Sequence, residues 1–73
     1  MKKFFKLEDL DCALCAEKMQ EGVKKIKGVK DASVSFISQK MTIDFEDNVN
    51  EKEVMDEVVK VCKKIEPDCT IVR

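Results

Sequence analysis

Phe5 and Leu7 alternate with Lys6 and Glu8, a period of two that predicts a half-buried strand over about residues 3–8. After a loop over residues 9–14 the period changes. From Cys15, apolar residues recur at Met19, Val23 and Ile26, and charged or polar residues fill the positions between. That is one apolar face of an amphipathic helix, which Gly28 stops. Two more alternating runs follow. Ala32, Val34 and Phe36 take turns with Asp31, Ser33 and Ser35, and Met41, Ile43 and Phe45 with Thr42, Asp44 and Glu46. The polar stretch Ser38-Gln39-Lys40 turns one into the other, so the pair reads as a hairpin. Asn50 opens a second helix. Glu53 completes a capping box, and Val49 and Val54 are spaced as a hydrophobic staple. Val54, Val58, Val61 and Ile65 form its inner row. Pro67 prevents continuation. Cys69 and Ile71 alternate with Thr70 as a short last strand.

The order β-α-β-β-α-β predicts an α+β fold. It is the ferredoxin-like βαββαβ sandwich, with a four-stranded antiparallel sheet and both helices on one face. In that layout the loop after the first strand lies beside the end of the second helix. Residues 62–67 are therefore expected near residues 9–14. At 73 residues, the chain is expected to be one domain spanning 1–73, and a monomer.

Charge narrows the function. Fourteen basic and fifteen acidic side chains are mixed along the chain, giving a net charge of -1. With no basic stripe, a nucleic-acid partner is not expected. No apolar run is long enough to span a bilayer, so no membrane contact is expected of this segment. Met1 to Phe5 begin like a signal peptide, but Glu8 and Asp9 end the apolar stretch too early, so a cytoplasmic location is expected. There is no histidine, which excludes Cys–His nucleophile pairs, His-containing zinc fingers and haem attachment.

The chemistry lies in the cysteines. Cys12 and Cys15 form a Cys-x-x-Cys motif between the first strand and the first helix. A helix N-terminus favours thiolate over thiol, and two thiolates converging there can hold a soft metal ion or cycle as a disulfide. Thioredoxin-like sites usually place an aromatic before the motif, and this chain has no Trp or Tyr. Asp11, directly before Cys12, reads as a helix cap or as an oxygen ligand. Cu(I) suits two linear thiolates, whereas Zn(II), Cd(II) and Pb(II) want more donors and accept a carboxylate. Cys62 lies on the apolar side of the second helix and reads as core, or as a third thiol reaching the loop from the helix end. Cys69, Met19, Met41 and Met55 read as core.

The Cys12–Cys15 motif, the helix positions Met19, Val23 and Ile26, and Gly28-Val29 before the second strand together resemble the heavy-metal-associated domain. The resemblance covers the whole chain. It implies that Cys12 and Cys15 are metal thiolates. It puts Leu10 where the family usually has a methionine under the loop, and Asp9 where it usually has glycine. Asp11 and the stretch Ile65-Glu66-Pro67-Asp68 resemble the zinc/cadmium/lead ATPase branch. The implied function is binding of Zn(II), Cd(II) or Pb(II) as a regulatory or delivery domain of such a P-type ATPase, without catalysis of its own. Its partners would be the metal ion and other domains of the transporter or a metal carrier. The alternatives are a free-standing Cu(I) chaperone of the same fold and a small thiol–disulfide redox protein.

Overall fold

The structure, a computed structural model, describes residues 1–72; Arg73, the end of the expected domain, lies outside them. The elements are β1 (Lys2–Glu8), α1 (Ala13–Lys24), β2 (Val29–Ser35), β3 (Lys40–Phe45), α2 (Glu51–Ile65) and β4 (Thr70–Val72). The sheet order is β2-β3-β1-β4, and every neighbouring pair is antiparallel. This is the ferredoxin-like topology that the order of periodic segments predicts. Leu7, Met19, Met41, Ile43, Phe45 and Val58 are fully buried in the core between sheet and helices. Removing a side chain of this kind from water contributes about 1.5–3 kcal/mol.

The register explains which apolar residues face inward. Phe5 pairs with Met41, Ala32 with Ile43 and Val34 with Met41, so each cross-strand pair shares the core face. Phe36 departs from the expected alternation. β2 ends at Ser35, which pairs with Lys40, and Phe36 falls in the turn with its side chain exposed. At the other end of β2 the register shifts between Val29 and Asp31, a local bulge.

Helix α1 begins earlier than the loop over 9–14 allows and ends at Lys24, short of Ile26. The cause at the start is the cap. Cys12 has an extended backbone, its carbonyl accepts the Ala16 N–H at 3.1 Å, and its Sγ accepts the Cys15 N–H at 3.2 Å. The core face of α1 is Ala16, Met19 and Val23; Ile26 packs on the core from the turn after it. On its other side α1 approaches α2 closely at Gly22, where a Cβ would stand 2.8 Å from Val61 Cγ1. Gly28 is required twice over: its φ is +96°, and a Cβ there would meet Val54 Cγ2 at 2.9 Å.

Helix α2 is capped by Asn50, whose Oδ1 accepts the N–H groups of Lys52 (3.1 Å) and Glu53 (3.4 Å). Glu51 and Glu53 in its first turn and Lys63 and Lys64 in its last complement the helix dipole. Its buried face is Val54, Met55, Val58 and Cys62, while Val61 is half-buried against α1. The Lys63 ammonium donates to the carbonyls of Pro67 (3.3 Å) and Cys69 (3.2 Å), fastening the helix end to the start of β4. Among the described residues no helix is long and apolar enough to cross a membrane.

Candidate metal centre

β1 delivers the chain to the site and a sharp turn redirects it. Asp9 has φ +62°, in the left-handed region that favours glycine. Leu10 then drops into the core, 3% exposed, and its burial fixes the floor of the loop. Asp11 is exposed, and Cys12 and Cys15 are each half-buried. Since Cys12 itself caps α1, Asp11 is not the cap.

The two thiols differ in acidity because they share a proton. The Cys15 thiol donates to Cys12, and the Cys15 and Leu14 backbone N–H groups add to it, which lowers the Cys12 pKa. The same bond to Cys12 is the main reason that Cys15 is pushed up to about 11; partial desolvation, the charge on Cys12 and the Glu66 carboxylate add to the rise. Cys12 therefore ionises first, and the pair loses its protons in two separated steps.

Glu66, legible in the sequence only as part of the stretch Ile65-Glu66-Pro67-Asp68, is a further residue that acts on the thiols. It is the C-cap of α2, where the backbone turns extended, and its carboxylate is among the groups that raise the Cys15 pKa. The Asp68 N–H holds the same carboxylate at 3.3 Å. Its charge raises the pKa of Cys12 as well. The topology does bring the end of α2 to the thiol loop, as the element order predicts, but the residue it presents there is Glu66. Cys62 lies one helical turn earlier, is 1% exposed and belongs to the core face. Burial pushes its thiol up to about 12, and the charge of nearby Cys69 adds to this. Cys69 is equally buried. Its pKa is raised first by burial and then by Glu66, Asp9 and Asp11. Cys62 and Cys69 are thus core residues, whereas Cys12, Cys15 and Glu66 are each half-buried. Glu66 could have been found from the stretch Ile65-Glu66-Pro67-Asp68, since Pro67 forces the preceding residue out of helical geometry and off the core face.

Cys12 and Cys15 are joined by the Cys15 N–H bond to Cys12 Sγ, and the Glu66 carboxylate raises the pKa of both thiols. Among the described residues no group of three His, Cys, Asp or Glu side chains is placed to hold a metal ion. The residues brought together at the β1–α1 junction are the two thiols, Cys12 and Cys15. A second residue outside the sequence-derived set is Gln39. Its carboxamide accepts the Leu10 N–H at 3.2 Å and donates to the Leu10 carbonyl at 2.6 Å, joining the thiol loop to the β2–β3 turn.

Comparison with known proteins agrees with this geometry. The heavy-metal-associated domain profile matches residues 4–69. Over 71 residues the chain is 37% identical to a cadmium, zinc and cobalt-transporting ATPase of Bacillus subtilis (strain 168), covering 97% of this chain and 10% of that protein. Over 45 residues it is 31% identical to a zinc/cadmium/lead-transporting P-type ATPase of Escherichia coli (strain K12), covering 62% of this chain and 6% of that protein. It therefore spans a tenth or less of the length of these relatives. Among solved structures, a CopZ metallochaperone aligns with a TM-score of 0.73 at 16% identity, over 99% of this chain and 100% of that one. The yeast copper transporter domain Ccc2a aligns with a TM-score of 0.71 at 17% identity, over 99% of this chain and 94% of that one. At such identities the two structures speak for the fold alone. The profile match across nearly the whole chain, on a βαββαβ fold with Cys12 and Cys15 at the first strand-to-helix junction, shows that the chain belongs to the heavy-metal-associated domain family.

Proposed function

We propose that this chain binds a divalent soft or borderline metal ion, Zn(II), Cd(II) or Pb(II), through Cys12 and Cys15. It would serve as a non-catalytic regulatory or delivery domain of a P-type ATPase that moves such ions across a membrane. The observation that carries the reading is the Cys12–Cys15 pair at the junction of β1 and α1, beside a Glu66 carboxylate that raises the pKa of both thiols. Two thiolates alone suit a monovalent ion in linear geometry. A third, oxygen donor and a third negative charge favour a dication, which then leaves the site with one net negative charge rather than two. Asp11, exposed and free of capping, adds a further carboxylate at the loop. The similarity to the cadmium, zinc and cobalt-transporting ATPase of Bacillus subtilis and the zinc/cadmium/lead-transporting P-type ATPase of Escherichia coli supports the same choice. The ion is cargo, to be taken up and released, and a shallow surface site with half-buried ligands fits that use.

Native mass spectrometry of the chain with each metal in turn tests this. One equivalent of Zn(II) or Cd(II) should be retained by the wild type and lost in Cys12→Ser and Cys15→Ser. Retention of Cu(I) alone, with the divalent ions washed away, would establish the Cu(I) carrier instead.

A further inference from the structure

The β2–β3 turn grips the thiol loop through one side chain. Gln39 accepts the Leu10 N–H on Oε1 at 3.2 Å, and its Nε2 donates to the Leu10 carbonyl at 2.6 Å and the Phe36 carbonyl at 2.7 Å. Its own carbonyl accepts the Leu7 N–H at 2.8 Å. Leu10 lies past the end of β1, where the sheet ladder no longer supplies partners. The Gln39 carboxamide supplies them, giving Leu10 one donor and one acceptor as a neighbouring strand residue would. To do so Gln39 adopts φ +55°, a backbone conformation unfavourable for any residue with a Cβ.

Cys12 is thereby held from both sides. Leu10 is fixed two residues before it, and its own carbonyl is bonded to the Ala16 N–H in the first turn of α1. Only Asp11 separates the latched residue from the ligand. We infer that Gln39 is a positioning residue for the metal site: by latching Leu10 to the β2–β3 turn it holds Cys12 in the arrangement in which both thiols meet one ion. The inference deepens the proposed function and rests on Cys12 and Cys15 being the ligands. The physical gain is pre-organisation, because the ordering of the loop is met on folding and not again on binding. Displacement of Leu10, and of Cys12 with it, would break these bonds.

Two variants of the 73-residue chain separate this role from a purely structural one. Gln39→Gly removes the carboxamide while relieving the left-handed backbone, so the fold is kept. Gln39→Glu keeps the length but turns a carboxylate oxygen toward the carbonyls of Leu10 and Phe36. In the metal-free protein, exchange of the Leu10 amide should accelerate about tenfold in both, the scale of losing a net hydrogen bond or two, with the Met41 and Val58 amides unchanged. Transfer of Cd(II) to a competing chelator should accelerate by a similar factor. Acidification that protonates the introduced carboxyl should restore Leu10 protection in metal-free Gln39→Glu, because a protonated acid can donate again. Unchanged Leu10 exchange, or faster exchange with an unchanged Cd(II) transfer rate, would overturn the inference. Absence of Cd(II)–thiolate absorption in the wild type would sink the metal reading and Gln39's part in it, and would be seen before any variant is made.

Discussion

The Glu66 carboxylate at the end of α2 raises the pKa of the Cys15 thiol in the first turn of α1. These residues are 51 positions apart in the chain, and only the split βαβ topology brings them together. A carboxylate that acts on a thiol in this way also adds negative charge for an incoming cation.

Glu66→Gln keeps the shape and removes the charge. Cd(II) and Zn(II) affinity should fall by about tenfold or more, the scale of a lost charge-assisted contact, while Cu(I) affinity stays nearly constant. The Cys15 thiol should also become more acidic, since Glu66 is among the groups that raise it. Competition titrations and the pH profile of Cys15 alkylation measure both. Equal losses for Cu(I) and Cd(II) would reduce Glu66 to a general structural contact.

Metal affinity should rise with pH. Both thiols must be deprotonated in the complex; Cys12 lies below its ordinary 9.0 and Cys15 at about 11. Below both values, uptake of one ion displaces two protons, so the logarithm of apparent affinity should climb with a slope of about two per pH unit. Between them the slope should fall to about one, as Cys12 is already ionised. Cd(II) titrations across the range check this, and a flat profile near neutrality would exclude a fully thiolate site.

Cys62→Ala should leave the Cd(II)–thiolate absorption unchanged and cost about 1 kcal/mol of stability through the cavity it opens. The reason is burial: Cys62 is 1% exposed on the core face of α2, and its pKa of about 12 opposes ionisation. A marked loss of absorption would bring Cys62 back as a third sulfur donor.

Asp9→Val should destabilise the protein by about 1–2 kcal/mol, because a β-branched residue is poorly tolerated at φ +62°. Asp9→Gly should be neutral or stabilising, since glycine adopts that conformation without steric cost. Thermal melts of the metal-free variants separate the two, and equal melting points would mean that the Asp9 turn is not held in the native state.

Gly28→Ala should cost about 2 kcal/mol, combining a Cβ at φ +96° with a 2.9 Å approach to Val54. Denaturant unfolding measures it. Metal stoichiometry should be retained, because the Cys12–Cys15 loop is built on other residues.

The sequence by itself determined the element types, the antiparallel hairpin, the ferredoxin-like order and the place of Cys12 and Cys15, because periods of two and near four residues and the local signals of Gly28, Asn50 and Pro67 act within a few residues. It also showed that the end of α2 would lie by the thiol loop. Long-range packing set the rest. Cys12 takes the cap that Asp11 also suits, since capping depends on which backbone turns extended first. Cys62 goes inward and Glu66 outward, since the helix phase at Pro67 is set by packing against the sheet. Phe36 leaves the core side because Ser35 pairing with Lys40 closes the strand before it. Gln39 reads as an ordinary turn residue until the fold sets its carboxamide against Leu10, 29 positions away. Local patterns fix what each segment becomes, and only the closing of long-range contacts chooses which polar side chains face one another across the seams.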